Sequence, residues 1–263
     1  MQQKVEAAST SSSTDPQSTD PQWQARVDLA AAHRICVMNG FHEGIFNHLT
    51  LTVPGTADRY YQIPFGMHWC EVSASSFMEV GWDGTVLRGE GEVEPSCYAI
   101  HAPIHRKLPR AKAVFHTHMP FASALTRLED PKLKPIGQTE VLMMPMTGYD
   151  MDYAGPAFDP DEGERLADIL GDKKVLFMGN HGVATVAETV AEAFDLLYYT
   201  ERAAQVQLYA MWTGQKLLPM SEPILQKTIH VGDTHPFLHG KPCDYHFRAL
   251  KRILDKKEPD YKD

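Results

Sequence analysis

The chain is constrained most by a run of short extended segments that are joined by tight turns. Residues 48–53 form one such segment, and residues 77–87 predict a hairpin that turns at Asp83-Gly84. Residues 174–179 predict another strand, which turns through 179–182 into a partner that ends near residue 186. Connections this short join antiparallel neighbours, so the sequence predicts a mixed or largely antiparallel sheet. The dinucleotide-binding motif GxGxxG and the P-loop motif are both missing from the sequence, which argues against an all-parallel Rossmann sheet.

Helices with clear end signals separate and follow these segments. They are recognised by apolar residues at three- and four-residue intervals, by capping residues before the first turn and by glycine after the last. Strands alternating with helices in this way predict one layered α/β domain. The predicted helices start near Trp23, with Ser96 as N-cap, after Asp159, after Thr189 and near Asp244. The further predicted strands are residues 60–65, 111–118 and 140–146.

The composition of the chain divides it into two parts. Residues 1–21 are rich in Ser, Thr, Gln, Asp and Pro, so they bury too little apolar surface to fold alone, and we expect a disordered N-terminal arm. Residues 22–263 are expected to form a single domain that ends in a tail helix from about residue 244.

Charge and hydropathy exclude several classes of partner. The chain has 263 residues and a formal net charge of −9, which is unsuited to binding a nucleic-acid backbone. It contains no run of about 18 apolar residues, so we expect no membrane contact. The four cysteines follow no disulfide or zinc-finger spacing, which favours a reducing compartment and a cytoplasmic protein; they are Cys36, Cys70, Cys97 and Cys243.

Two histidines in the predicted strand 111–118 have the spacing of a metal site. Side chains alternate along a strand, so His116 and His118 project from one face and could bind the same ion. His181 lies in the Asn-His-Gly turn after a second strong strand. The alternative interpretation is two half-buried histidines in ordinary hydrogen bonds and a turn residue that caps backbone. Spacing alone leaves both interpretations open.

Longer stretches of the sequence resemble a known family. Three stretches resemble the core of the class II aldolase/adducin family. They are Ile100-His101, the run Lys-Ala-Val-Phe-His-Thr-His-Met-Pro at 112–120, and the segment from Val175 to Gly182 followed by residues 190–194. Glu43-Gly44 to Leu51 resembles an early family segment. The resemblance covers about residues 23–215, in the family's order.

The resemblance implies a specific architecture and cofactor. It implies a three-layer α/β/α sandwich with a mainly antiparallel central sheet, assembled as a C4-type homotetramer with active sites at subunit interfaces. It also implies a divalent metal, Zn²⁺ or alternatively Mn²⁺, on His116, His118 and His181. Three protein ligands leave a position free for substrate, which is the catalytic arrangement.

One departure from the family bears on catalysis. Sugar-phosphate aldolases of this type carry a Pro-Ser-Ser-Glu element whose Glu is the general acid/base, and this chain has Cys97 at that position. A thiol has the wrong resting pKa for the task of that carboxylate. Of the paired serines only Ser96 remains, so we interpret Ser96, Cys97 and His48 as substrate-binding.

The general acid/base therefore has to come from elsewhere. Glu92 and Glu94 precede the predicted helix, although a solvated acidic loop is the equal alternative. Tyr153 could donate a proton, with packing as its alternative role. His101 and His105, four residues apart on a predicted helix, are interpreted as structural.

These residues predict a metal-dependent lyase. The leading hypothesis is retro-aldol cleavage of a carbon–carbon bond in a small oxygenated, carboxylated substrate. The first alternative is a metal-dependent decarboxylase of a hydroxyaromatic or hydroxy-oxo acid, and the second is a non-catalytic, adducin-like interaction domain.

Overall fold

The computed structural model describes residues 19–153, 155–235 and 242–263. Within these ranges eight strands form a single sheet in the order β4-β3-β2-β1-β5-β8-β7-β6. The strands are β1 (His48–Thr52), β2 (Arg59–Gln62), β3 (Met78–Gly81), β4 (Val86–Arg88), β5 (Ala113–Thr117), β6 (Thr147–Asp150), β7 (Val175–Met178) and β8 (Val183–Ala187).

All neighbouring strands are antiparallel except β6 and β7, which run parallel. The mainly antiparallel sheet predicted above is therefore confirmed. The hairpin at Asp83-Gly84 joins β3 to β4, where Gly84 adopts a positive φ of 81°. The central pair, β1 and β5, places His48 opposite His116.

Eight helices surround this sheet in the described ranges. They are α1 (Pro21–Met38), α2 (Pro95–Lys107), α3 (Pro120–Leu125), α4 (Gln138–Met143), α5 (Pro160–Leu170), α6 (Val190–Trp212), α7 (Glu222–Thr234) and α8 (Pro242–Lys257). No helix among the described residues is long and apolar enough to cross a membrane.

The helices pack on both faces of the sheet, which confirms the three-layer α/β/α architecture. On one face, Val114 of β5 and Leu176 of β7 pack with Ile100 of α2 and with α5. On the other face, Phe115 packs with Phe194 of α6 and with α1 and α8. Because side chains alternate along β5, His116 lies on the α2 face, together with Val114.

The N-cap of α2 is Glu94, so the prediction that Ser96 is the cap is wrong. The side chain of Glu94 accepts a hydrogen bond from the backbone N–H of Cys97, and Pro95 occupies the first helical position. Proline suits that position because its fixed φ fits a helix and its missing N–H would have no partner there. The helix continues through Pro103 to Lys107.

Residues 140–146 do not form the predicted strand. They lie in α4 and in a 3₁₀ turn over Met144–Met146, and β6 begins only at Thr147. A short apolar run of Leu and Met fits a buried helix as well as a strand, and periodicity cannot separate the two.

The ends of the domain differ slightly from the expected boundaries. Helix α1 begins at Pro21, capped by Asp20, so it starts within the segment 1–21 that we expected to be an arm. Residues 1–18 of that segment lie outside the described residues. The tail helix α8 begins at Pro242, two residues before its predicted start.

Candidate metal centre

Three histidines that are distant in sequence meet at one end of the sheet. His116 is on β5, His118 follows it, and His181 lies in the turn between β7 and β8. Because β8 pairs with β5, this turn lies beside the end of β5. The three ring centroids are 4.7 to 4.9 Å apart. One ligand atom of each ring lies within 4.8 Å of the others, so this group could hold a metal ion.

The direction of the His116 ring is fixed by the neighbouring strand. Its Nδ1–H donates to the carbonyl oxygen of Val183 at 3.0 Å, which leaves Nε2 as the free nitrogen. That Nε2 lies 3.1 Å from Nε2 of His118. Two imidazole nitrogens on one tetrahedral Zn²⁺ would be about 3.3 Å apart, given the usual Zn–N distance. The spacing of the two rings therefore fits a shared divalent ion.

Glu43 and Asn47 hold His118 in place. The carboxylate of Glu43 forms a short contact with Nδ1 of His118, and the side-chain oxygen of Asn47 accepts the backbone N–H of His118 at 3.1 Å. A carboxylate on the outer nitrogen of a histidine orients the ring and makes its other nitrogen a better ligand. Asn47 has a φ of 78°, a conformation that Asn tolerates better than most residues.

Burial keeps these histidines uncharged. Desolvation lowers the pKa of His181 to about 4 and places the pKa of His116 well below its usual range. Burial also lowers the pKa of His118, although its contact with Glu43 opposes the shift. Metal ligation requires neutral imidazoles, so the three rings are in the ligating form at neutral pH.

Glu94 and His48 form a buried hydrogen-bonded pair beside this centre. Nε2 of His48 lies 2.8 Å from Oε2 of Glu94, and the His48 ring centroid is 5.7 Å from that of His116. Burial alone would raise the pKa of Glu94, but hydrogen bonds from His48, Cys97 N–H and Ser96 lower it to about 2. Such a carboxylate is a weak base, which argues against a role as general acid/base.

The remaining predicted residues occupy different environments. Cys97 is fully buried, and burial raises the pKa of its thiol well above the usual range. Glu92 is exposed. Tyr153 is 46% exposed, and its ring centroid lies 6.0 Å from that of His181. The neighbouring Tyr149, on β6, packs on Phe177 and accepts the backbone N–H of Leu133 with its hydroxyl oxygen.

A pocket opens beside this hydrogen-bonded pair. It is lined by Asn47, His48 and Glu94 on one side, and by the apolar side chains Ile45, Leu49, Ile63, Pro64 and Phe65 together with Gln62. The side-chain nitrogen of Asn47 is buried and has no hydrogen-bond partner among the residues that the structure describes. Asn47 therefore offers a spare N–H donor at the wall of the pocket, as a bound oxygen would require.

Sequence reasoning did not identify Glu43 or Asn47 as site residues. Both lie just before β1, and they reach His118 only because β1 pairs with β5 in the register that sets His48 opposite His116. No local spacing connects them to the histidines.

Comparison with known proteins identifies the fold and the family. The sequence profile of the Class II Aldolase and Adducin N-terminal domain matches residues 27–208. The crystal structure of an aldolase II superfamily protein from Pseudomonas syringae superposes with a TM-score of 0.86 at 31% identity, and the match covers 93% of this chain and 98% of that one. L-fuculose 1-phosphate aldolase from Glaciozyma antarctica superposes with a TM-score of 0.79 at 24% identity over 92% and 93% of the two chains, a likeness of fold.

Several relatives carry adducin names. An adducin-related protein of Schizosaccharomyces pombe is 31% identical over 256 residues, which cover 93% of this chain and 78% of that one. Alpha-adducin of Rattus norvegicus is 33% identical over 243 residues, covering 88% of this chain but only 33% of the adducin. With a family profile that matches most of its length and a relative of this identity, the chain belongs to the class II aldolase and adducin family.

Proposed function

We propose that the chain is a metal-dependent carbon–carbon lyase of the retro-aldol type, acting on a small oxygenated and carboxylated substrate. His116, His118 and His181 would hold Zn²⁺ or Mn²⁺. The observation that carries this proposal is the convergence of three neutral imidazoles, two of them partly exposed, next to a pocket with a spare amide donor.

The bound ion would supply Lewis acidity, polarising a substrate carbonyl and stabilising the negative charge that cleavage leaves on it. The chain's own residues would bind and orient the substrate. The amide of Asn47 would donate to a substrate oxygen, and the buried pair of His48 and Glu94 would form a polar wall of the pocket.

In this proposal Tyr153 would be the general acid or base that transfers a proton during cleavage. Its phenol is partly exposed beside His181, whereas Glu94 is committed to three hydrogen bonds. Glu92, which is exposed two residues before Glu94, is the second choice because no described residue holds its side chain toward the histidines. Tyr153→Phe is expected to lower kcat by about 10²- to 10⁴-fold, the usual contribution of a general acid or base.

Decarboxylation of a hydroxyaromatic or hydroxy-oxo acid is the first alternative. Retro-aldol cleavage and decarboxylation both leave an enolate-like anion, which a divalent ion stabilises. The same three histidines would therefore serve both reactions. A non-catalytic interaction domain is the second alternative, and the 33% identity to alpha-adducin supports it.

A product assay separates the three functions. Hydroxy-oxo acids and hydroxyaromatic acids are incubated with metal-loaded protein, and release of pyruvate, aldehyde or CO₂ is measured. We expect the hydroxy-oxo acids to give an aldehyde and a keto acid. His116→Ala should lose this activity. His230→Ala, which changes an exposed histidine of α7, is the control and should retain it. CO₂ release without an aldehyde would favour the decarboxylase, and no product together with actin or spectrin binding would favour the adducin-like function.

A further inference from the structure

A second group of ligand-type side chains lies behind the pocket. It consists of His48 on β1 with Cys97 and His101 on α2, and one ligand atom of each lies within 4.8 Å of the others. Cys97 and His101 are four residues apart on the helix, so they lie on the same face, and that face looks toward β1. None of the three belongs to the three-histidine centre described above.

A chain of hydrogen bonds fixes which nitrogen of His101 is free. His105 is buried and therefore neutral, and its Nδ1–H donates to the carbonyl oxygen of Ala111. Its Nε2 must then accept the hydroxyl hydrogen of Thr50, 2.8 Å away. The hydroxyl oxygen also lies 3.2 Å from the carbonyl oxygen of Val114, and donation along the shorter contact to His105 is the one that satisfies the His105 nitrogen. The same hydroxyl oxygen accepts Nδ1–H of His101 at 2.7 Å. Nε2 of His101 is left with a bare lone pair.

His48 has its free lone pair for a similar reason. Oε2 of Glu94 accepts from Cys97 N–H and from the hydroxyl of Ser96, so it also accepts Nε2–H of His48 at 2.8 Å. This leaves Nδ1 of His48 as a bare acceptor. Nδ1 of His48 and Nε2 of His101 are buried and have no hydrogen-bond partner among the residues that the structure describes.

Two buried imidazole lone pairs cannot satisfy each other, because both only accept. Their rings are 5.4 Å apart between centroids, and Cys97 lies with them. We propose that His48, Cys97 and His101 form a second metal site, with two nitrogen ligands and one thiolate, which would take a cation of intermediate softness such as Zn²⁺ or Co²⁺.

The surroundings of the site suit such an ion. A bound cation deprotonates a coordinating thiol outright, so Cys97 would contribute one negative charge. Glu94 supplies a second through its hydrogen bond to His48, in the carboxylate–histidine–metal arrangement that strengthens a ligand. Together they balance the two positive charges of the ion. His48 also lines the pocket, which gives the ion a route of entry from solvent.

Cobalt absorption tests the proposal on the unmodified protein. A thiolate bound to Co²⁺ gives a charge-transfer band in the near ultraviolet, and a site of three histidines gives none. Apo-protein is titrated with Co²⁺, and we expect a second cobalt equivalent per chain whose binding produces this band. Cobalt-saturated wild-type protein without the band would overturn the proposal. A water molecule bound between His48 and His101, donating one hydrogen to each free nitrogen, would also overturn it.

Variants assign the band to its residues. Cys97→Ser and His101→Gln are expected to abolish the band and one cobalt equivalent, whereas Cys36→Ser, which changes a cysteine buried elsewhere in α1, keeps both. His116→Ala should lose the other equivalent and retain the band. The two sites can therefore fail separately: wild-type protein that binds one cobalt equivalent without the band would refute the second site and leave the proposed lyase intact. A band that survives Cys97→Ser would also refute it.

Discussion

Glu43 sets the orientation of His118 through the contact between its carboxylate and Nδ1 of that ring. Outer carboxylates of this kind raise metal affinity by about 10- to 100-fold. We therefore expect Glu43→Gln to weaken Zn²⁺ binding by about that factor, measured by competition with a chromophoric chelator. Glu188→Gln, an exposed glutamate at the end of β8, is the control and should bind as the wild type does. Equal affinities in both variants would show that Glu43 does not support a metal ligand.

His33 makes the stability of the protein depend on pH. It is buried against Trp69 and Phe77, and burial lowers its pKa to about 4 from an unfolded value of 6.5. The unfolded chain therefore takes up the proton first. The contribution of neutral His33 to stability is complete above pH 6.5 and is lost as the pH falls toward 4.

The expected size of this effect can be measured by urea unfolding at pH 7 and pH 5. From pH 7 to pH 5 the free energy of unfolding should decrease in both proteins. The decrease should be about 2 kcal/mol smaller in His33→Leu than in the wild type. The comparison isolates His33, because the other buried histidines titrate in both proteins. An identical loss in the two proteins would mean that the ring is not held neutral by burial.

At the scale of single residues, the sequence predicted which histidines could bind a metal, but not the contacts that orient their rings. The pair His116 and His118 follows from strand alternation alone, since both lie on one short segment. The support from Glu43 and the bare lone pair of His101 depend on contacts between residues 51 to 75 positions apart. Local patterns carry no information about such contacts.

The turn between β7 and β8 places His181 and leaves no room for a larger residue at Gly182. A Cβ atom there would lie 2.6 Å from Cδ2 of His118 and 2.6 Å from the carbonyl oxygen of Thr117. Gly182→Ala should push His118 away from His116 and reduce metal affinity at least tenfold, a rough figure for a loosened ligand. Gly148→Ala meets only ordinary contacts, from 3.5 Å, and should bind metal normally. Full affinity in Gly182→Ala would show that the turn does not position the ligands.

At the scale of elements, the sequence predicted strands well where turn residues bound them. The hairpin at Asp83-Gly84 and the pair of β7 and β8 follow from turn chemistry, and both are present. Residues 140–146 have no such boundary, and packing against α6 and α7 decides in favour of helix. The capping role of Glu94 was missed because its side chain also pairs with His48, a partner that is remote in sequence.

The whole molecule carries an apolar patch that we expect to be covered in an oligomer. Trp212 at the end of α6 is 82% exposed and stacks on Tyr209, and Leu218 nearby in sequence is 87% exposed. Exposed aromatic side chains that stack on each other, as Trp212 and Tyr209 do, mark interaction surfaces. We expect light scattering after gel filtration to give the mass of a tetramer, and Trp212→Lys to shift it to smaller species. Tyr245→Lys, on α8, is the control; a monomeric wild type would contradict the expectation.

The three-layer architecture was predictable because most of the chain resembles one family, whereas its reaction was not. The family's catalytic Glu position is occupied by Cys97, which is fully buried. The proposed acid/base Tyr153 could not be selected from a motif, because its position beside His181 is a property of the folded chain.

We propose above that His116, His118 and His181 bind one divalent ion. Anomalous diffraction from crystals of zinc-saturated protein, recorded above and below the zinc absorption edge, tests it most directly. We expect an anomalous peak about 2.0–2.1 Å from one nitrogen of each of the three rings. Zinc-saturated crystals with no peak among these rings would contradict it.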